Sequence, residues 1–236
     1  MSTVTLFAPK VRYASTFESQ FDAMMTWRAE LELSYLIEGD TPSVLAGYAD
    51  FLIIRVGEHP ICDLLDSLSE DAVQVAGLFD GDDVADAIQD QFADAPFNRV
   101  LIVTSVEVAT PLHGNDLGAW LVAEVIDRMA SPTDTLVMLL PQPVDSETGP
   151  TPALEMSAMS HYWRRVGLEP VEDNPQFMCQ ATAYSHLTRA RAALRMVTDV
   201  EIAVATSQIR VEELDDTSRH TLIREADPQH LRLVRG

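Results

Sequence analysis

Apolar and polar side chains take turns along Ala29-Glu30-Leu31-Glu32-Leu33-Ser34-Tyr35-Leu36-Ile37, the period of a strand with one face buried. Glu38-Gly39-Asp40-Thr41-Pro42 reads as a turn. Val44 to Val56 then returns as a second strand with Gly47 at a bulge, giving an antiparallel hairpin. Ahead of it, Val4 to Tyr13 is a strand interrupted by Pro9, which suits an edge position. Ser15 or Thr16 caps a predicted helix running to about Trp27, with Phe17, Phe21, Met24 and Met25 on its apolar side.

Past His59-Pro60, helical spacing recurs over Ile61–Leu68, Glu70–Phe79 and Asp83–Phe92, with Ser69 and Asp82 as caps. The clearest pattern follows, from Arg99 to Ala130. Val100-Leu101-Ile102-Val103 is an apolar run fit for burial on both faces, and Val106-Glu107-Val108 alternates. The turn Thr110–Asp116 leads into a helix with Leu117, Trp120, Leu121, Val125 and Met129 on one side. Such a strand, loop and helix make an anion site, because the first helical amides lack intrahelical acceptors and the dipole favours negative charge there.

Thr135–Leu140 is a short buried strand. Residues 141–153, with four prolines and a glycine, form an exposed loop. Ala153–Val166 is helical, with Gly167 as its C-cap. Leu168–Glu172 and Phe177–Tyr184 are two further strands, separated by Asp173-Asn174-Pro175. Beyond them, Leu187–Val197 is a helix and Val200–Ala205 a short strand.

Charge narrows the class of partner. Sixteen basic residues stand against 37 acidic ones, a net charge of −21, which repels nucleic acid and anionic membranes and favours cationic partners. From Glu58 to Asn98 there are eleven acidic residues and no Lys or Arg, whereas residues 187–236 carry eight Arg and eight acids. The acidic stretch is expected to be a solvated outer face over an apolar inner one. Cys62 and Cys179 match no metal or redox spacing and read as two buried thiols in a reducing cytosol. The six histidines show no paired metal spacing, so no metal site is expected. No signal peptide and no bilayer-length apolar run are visible, so a soluble, cytoplasmic protein is expected.

Two segments carry a family resemblance. His113-Gly114-Asn115-Asp116-Leu117-Gly118, followed by Ala119, resembles the pyrophosphate loop of the GNAT superfamily of acyl-CoA-dependent N-acyltransferases, which reads Arg or Gln, x, x, Gly, x, Gly or Ala. Tyr162-Trp163-Arg164-Arg165-Val166-Gly167 is similar to that family's aromatic-aromatic-x-basic-x-Gly segment. His113 stands in place of Arg or Gln, and Asp116 in place of the first motif glycine. The resemblance covers residues 1–186 apart from the acidic insert at about 58–96. It implies an α/β fold with a mixed, mostly antiparallel sheet splayed around a CoA cleft. Residues 187–236 form a C-terminal extension that packs as extra helix and strand, continues the sheet, or mediates homodimerisation.

The resemblance also implies an acetyltransferase that moves an acetyl group from acetyl-CoA to a primary amine, the acidic surface favouring a cationic small molecule or protein. Acetyl-CoA would bind through Val108, His113, Gly114, Asn115, Asp116, Leu117, Gly118 and Ala119, with the amide of Val108, or of Glu107, at the thioester oxygen. Glu107 is the implied base, although a strand glutamate facing solvent is its plainest reading. Trp163 occupies the position where the family often has a proton-donating tyrosine, and an indole is no useful acid. Tyr162, one place earlier, is the implied donor, set against a core aromatic with a satisfied hydroxyl. The alternative function is a non-catalytic protein on the same scaffold that binds a basic partner through its acidic surface.

Overall fold

The structure, a computed structural model, describes residues 3–17, 22–36, 41–66, 75–93, 95–140, 152–211 and 231–234. Strands β1 (Thr3–Phe17), β2 (Met24–Tyr35) and β3 (Ser43–Arg55) form an antiparallel meander. Helix α1 (Ile61–Asp66), the hairpin β4 (Phe79–Asp80) and β5 (Asp83–Val84), and helix α2 (Asp86–Phe92) follow. Then come β6 (Arg99–Val108), α3 (Leu117–Met129), β7 (Thr135–Leu139), α4 (Pro152–Trp163), β8 (Glu169–Pro170), β9 (Met178–Ala181) and α5 (Ser185–Ala193). Three short strands complete the order: β10 (Ile202–Ala205), β11 (Ile209–Val211) and β12 (Leu231–Val234).

Ten of these strands make one mixed sheet in the order β10-β1-β2-β3-β6-β7-β9-β8, with β12 added to β3 and β11 to β12. All pairings on that path are antiparallel except β6 with β7. A parallel neighbour needs a crossover, and α3 supplies it. Apolar clusters cover both faces. On one side Leu31, Leu33, Phe51, Leu101, Val103, Val137 and Leu139 pack against α3 and α5. On the other, Leu52, Ile54, Val100, Ile102, Leu136 and Met138 lie under α1, α2 and Phe79 of the insert. β6 and β7 are therefore buried on both faces where they pair, which is why their sequences read as unbroken apolar runs.

Several expectations change. The helix expected from Ser15 to Trp27 is absent over the described residues. Ser15 and Phe17 lie in β1, Met24 to Trp27 lie in β2, and Trp27 pairs with both Ser15 and Phe51. Its β-branched and aromatic residues suit a pleated surface, and pairing on both flanks outweighs a single cap signal. β1 is an edge only in part, since Thr3–Leu6 pair with β10. Pro9 sits in a register shift between Phe7 and Lys10, beside Ala8 with φ 51°. In the insert, the middle helix is replaced by a 3-10 turn at Val75–Leu78 leading into the β4–β5 hairpin; its Glu70–Gln74 part, and Ser69, lie outside the described residues. Asp82 belongs to the hairpin rather than to a helix cap, and α2 begins at Asp86 with Ala85 as N-cap. Cys62 is exposed, while Cys179 is buried. The loop expected at 141–153 falls almost wholly outside the described residues.

Two irregularities aim the central strands. Between Leu31 and Glu32 the β2–β3 register skips one residue of β3, a bulge beside Gly47. The β3–β6 register skips Thr104, whose Oγ1 donates to the carbonyl of Asp50 at 3.1 Å. A one-residue bulge reverses which face each later side chain meets. Leu101 and Val103 face α3 before it, and Val106 and Val108 face α3 after it, so Ser105 and Glu107 turn to the opposite face.

Gly47 lies directly against β6 at this point. A Cβ there would overlap the carbonyl oxygen of Glu107 and approach Val108 Cα to 3.0 Å, so the backbone has no room for one. Gly47→Ala should destabilise the protein by about 1–3 kcal/mol, as overpacking against backbone does. Urea unfolding measures it, and a variant as stable as the parent contradicts this account of the β3–β6 contact.

Candidate functional site

The site is built where β6 outlasts its parallel partner. β7 pairs with β6 only through Val103, and among the described residues Thr104 to Val108 have β3 alone beside them. Ala109 donates its amide to Ala46 at 2.9 Å, and Val108 lies opposite Gly47. Antiparallel alternation then turns the N–H and C=O of Val108 away from β3. The carbonyl of Val108 meets the Nε2 of His113 at 2.8 Å. The Val108 amide points to the same side.

A 3-10 turn at Thr110–Leu112 carries the chain from β6 into the loop before α3. His113 donates its backbone amide to Thr110, and the Asn115 side chain donates to the carbonyls of Leu112 and His113. Asp116 is the N-cap of α3 with φ 59°, in the left-handed region. That backbone conformation favours glycine, and Asp is one of the few other residues to adopt it. The motif that this loop resembles carries glycine, the residue this conformation favours, at the matching position. The Asp116 carboxylate takes a two-pronged ion pair from Arg165, one arm at 2.6 Å. With Arg165 partly exposed, this pair chiefly neutralises the acid and sets where it lies, rather than adding much stability.

The first intrahelical bond of α3 runs from Trp120 to Asp116. Helix geometry therefore leaves the amides of Leu117, Gly118 and Ala119 without intrahelical acceptors. Ala119 donates to the hydroxyl of Tyr162 at 2.9 Å. Among the described residues nothing accepts from the amides of Leu117 and Gly118. Gly118 lets this packing close, since a Cβ there would sit 3.1 Å from the Tyr162 hydroxyl and 3.5 Å from Val108 Cγ2. Burial raises the pKa of the Tyr162 phenol, only partly countered by the Ala119 amide, so it keeps its proton well above neutral pH. Because the hydroxyl accepts from Ala119, its own hydrogen is left to donate.

The structure thus brings Val108, His113, Gly118, Ala119 and Tyr162 together, with Asp116 and Arg165 at the helix start. Glu107 projects from the opposite face of the sheet, exposed, opposite Tyr48. Trp163 is buried in the core, edge-on to Tyr162 with ring centroids 4.9 Å apart. Its indole N–H has no acceptor among the described residues. His161 is exposed. Arg164 lies in an open concavity of about 530 Å³ with His186, Arg189 and Glu169. Among the described residues no three His, Cys, Asp or Glu side chains come together as a metal site. No described helix is long and apolar enough to cross a membrane. Two features escaped the sequence reading. Arg165 reaches Asp116 from 49 residues away, a pairing no local pattern encodes. The polar cluster beside Glu107 (Arg28, Tyr48, Asp50) was visible only as the polar half of two alternating strands.

No family model, curated protein or solved structure matches the chain.

Tyr162→Phe removes the acceptor of the Ala119 amide without changing ring packing. The variant should lose about 1–3 kcal/mol in urea unfolding, the cost of leaving a part-buried donor unmet. Ala119 amide hydrogen exchange should also quicken. Exchange and stability equal to the parent would contradict the Tyr162–Ala119 bond.

Proposed function

We propose that the chain is an N-acyltransferase of the GNAT type, moving an acetyl group from acetyl-CoA to a primary amine of a cationic acceptor. One observation carries this reading: the unspent amides of Leu117 and Gly118 open beside the stretch of β6 that no longer pairs with β7, next to the Val108 amide and the Tyr162 hydroxyl. A strand-to-helix crossover with free N-terminal amides suits a pyrophosphate. The sheet order β1-β2-β3-β6-β7-β9-β8 supports the same reading, with β6 and β7 as the single parallel pair on that path. The pairing of Arg165 with Asp116 keeps a carboxylate at the loop from acting as an uncompensated negative charge toward an anionic ligand.

The residues then divide the chemistry. The Val108 amide hydrogen-bonds the thioester oxygen, where negative charge grows as the amine attacks. Glu107, on the far face of β6, accepts the proton that the amine nitrogen loses as it bonds to the acyl carbon. As the carbon–sulfur bond breaks, Tyr162 gives its hydrogen to the thiolate and regains one from solvent. His113, held by the Val108 carbonyl, fixes the loop against the strand.

A second reading has its own support. The β4–β5 hairpin sets Asp80, Asp82 and Asp83 on an exposed turn, in a stretch with no basic residue, and Trp163 supplies no acid. A non-catalytic protein that docks a basic partner there uses the same scaffold.

Acetyl-CoA at about 100 times its dissociation constant should stabilise the protein by roughly 2.7 kcal/mol. At about 2–4 °C per kcal/mol, Tm rises by several degrees. Release of free thiol on adding an amine should follow. Absence of any Tm shift at millimolar acetyl-CoA would sink the enzyme reading. Poly-lysine binding that disappears when Asp80, Asp82 and Asp83 become Asn would then favour the docking protein.

A further inference from the structure

The sheet face that carries Glu107 is more elaborate than a solvated surface requires. Cross-strand pairing sets Arg28 opposite Asp50, Glu30 opposite Tyr48, and Tyr48 opposite Glu107. Arg28 is buried and forks both arms onto the Asp50 carboxylate, each at 2.6 Å. Its guanidinium also lies over the Tyr48 ring, 4.3 Å from the centroid, a cation–π contact that fixes the ring. Tyr48 and Glu107 stand side by side on the same face of the β3–β6 pair. Fork, stack and cross-strand pair follow one another from β2 to β3 to β6.

We propose that Tyr48 is a positioning residue for Glu107. Its hydroxyl hydrogen-bonds the carboxylate and aims it along β6, and Arg28, itself locked by Asp50, holds Tyr48. This rests on the acyl-transfer reading for its purpose but not for the contact itself.

The charges on this face fit the role. β1 contributes Lys10 and Arg12, β2 contributes Arg28, Glu30 and Glu32, and β3 contributes Tyr48 and Asp50. Asp50 is neutralised by Arg28, and Glu32 accepts from Ser43 at 3.0 Å. Glu107, beside a neutral phenol, is the carboxylate on β6 that an incoming cationic amine meets. A neutral donor steadies a base without cancelling its charge, as an arginine would. Burial, then the neighbouring Glu107, raise the pKa of Tyr48, so the phenol keeps its hydrogen well above neutral pH.

The test reads the contact in the resting protein. In Glu107→Gln, a surface change, the Tyr48 ring carbon bearing the hydroxyl should titrate at lower pH than in the parent, followed by carbon-13 NMR of labelled tyrosine. An unmoved titration overturns the proposal. In Tyr48→Phe, kcat should fall about tenfold while KM for acetyl-CoA stays within about twofold. A Tyr48→Phe variant with the parent's kcat also overturns it. If the titration moves but the parent shows no acyl transfer, the contact stands and the acyltransferase reading, with the catalytic purpose of Tyr48, is what fails.

Discussion

A single skipped residue decides what the centre of this sheet does. Where β6 passes Asp50, Thr104 drops out of register and anchors itself to the Asp50 carbonyl. Before that point β6 is core, with alternate residues packed under the insert and against α3. After it, the parity is reversed. Val106 and Val108 meet Gly118 and Tyr162, and Glu107 faces Tyr48. β7 ends its pairing at almost the same place, so the strand turns from shared core to open edge within one residue. An unpaired stretch of central strand is costly inside a fold unless something satisfies it. Here that cost falls beside a helix start where, among the described residues, the amides of Leu117 and Gly118 meet no acceptor.

The two sides of β6 are organised by different physics. On the α3 side, backbone geometry dominates: a left-handed Asp116, a glycine under a tyrosine hydroxyl, and amides that helix closure leaves open. On the Glu107 side, charge dominates, with one buried arginine neutralising one aspartate and stacking on one tyrosine. Each ionised group there is brought into register by strand pairing rather than by proximity in the chain. The Asp116–Arg165 pair links the loop to the 3-10 turn after α4 in the same way, across 49 residues.

Much of the centre was legible in the residues. Val100 to Val103 announced a strand buried on both faces, and Leu117, Trp120, Leu121 and Val125 announced the helix behind it. The alternation from Ala29 and the bulge at Gly47 also read through, because a two-residue period is a local property. The helix expected at Ser15–Trp27 failed because Thr26 and Trp27 have partners on β1 and β3 that no local window contains. The insert misread its middle helix for a related reason: Asp80-Gly81-Asp82 is a turn, and the apolar residues around it fit a short hairpin as well as a helix. The resemblance points to Glu107, Tyr162, the loop and the basic segment that holds Arg165. It does not point to Tyr48 or Arg28, or to Asp116 as the partner of Arg165, since those pairings join residues far apart in the chain.

On the acyl-transfer proposal, the opening between β6 and α3 takes the pyrophosphate and thioester of an acyl-CoA. Backbone amide shifts recorded while CoA is titrated into the labelled protein test this. The largest changes should fall on Leu117, Gly118 and Val108, with Gly114 and Asp116 following. Changes centred elsewhere, or none at all at millimolar CoA, would contradict it.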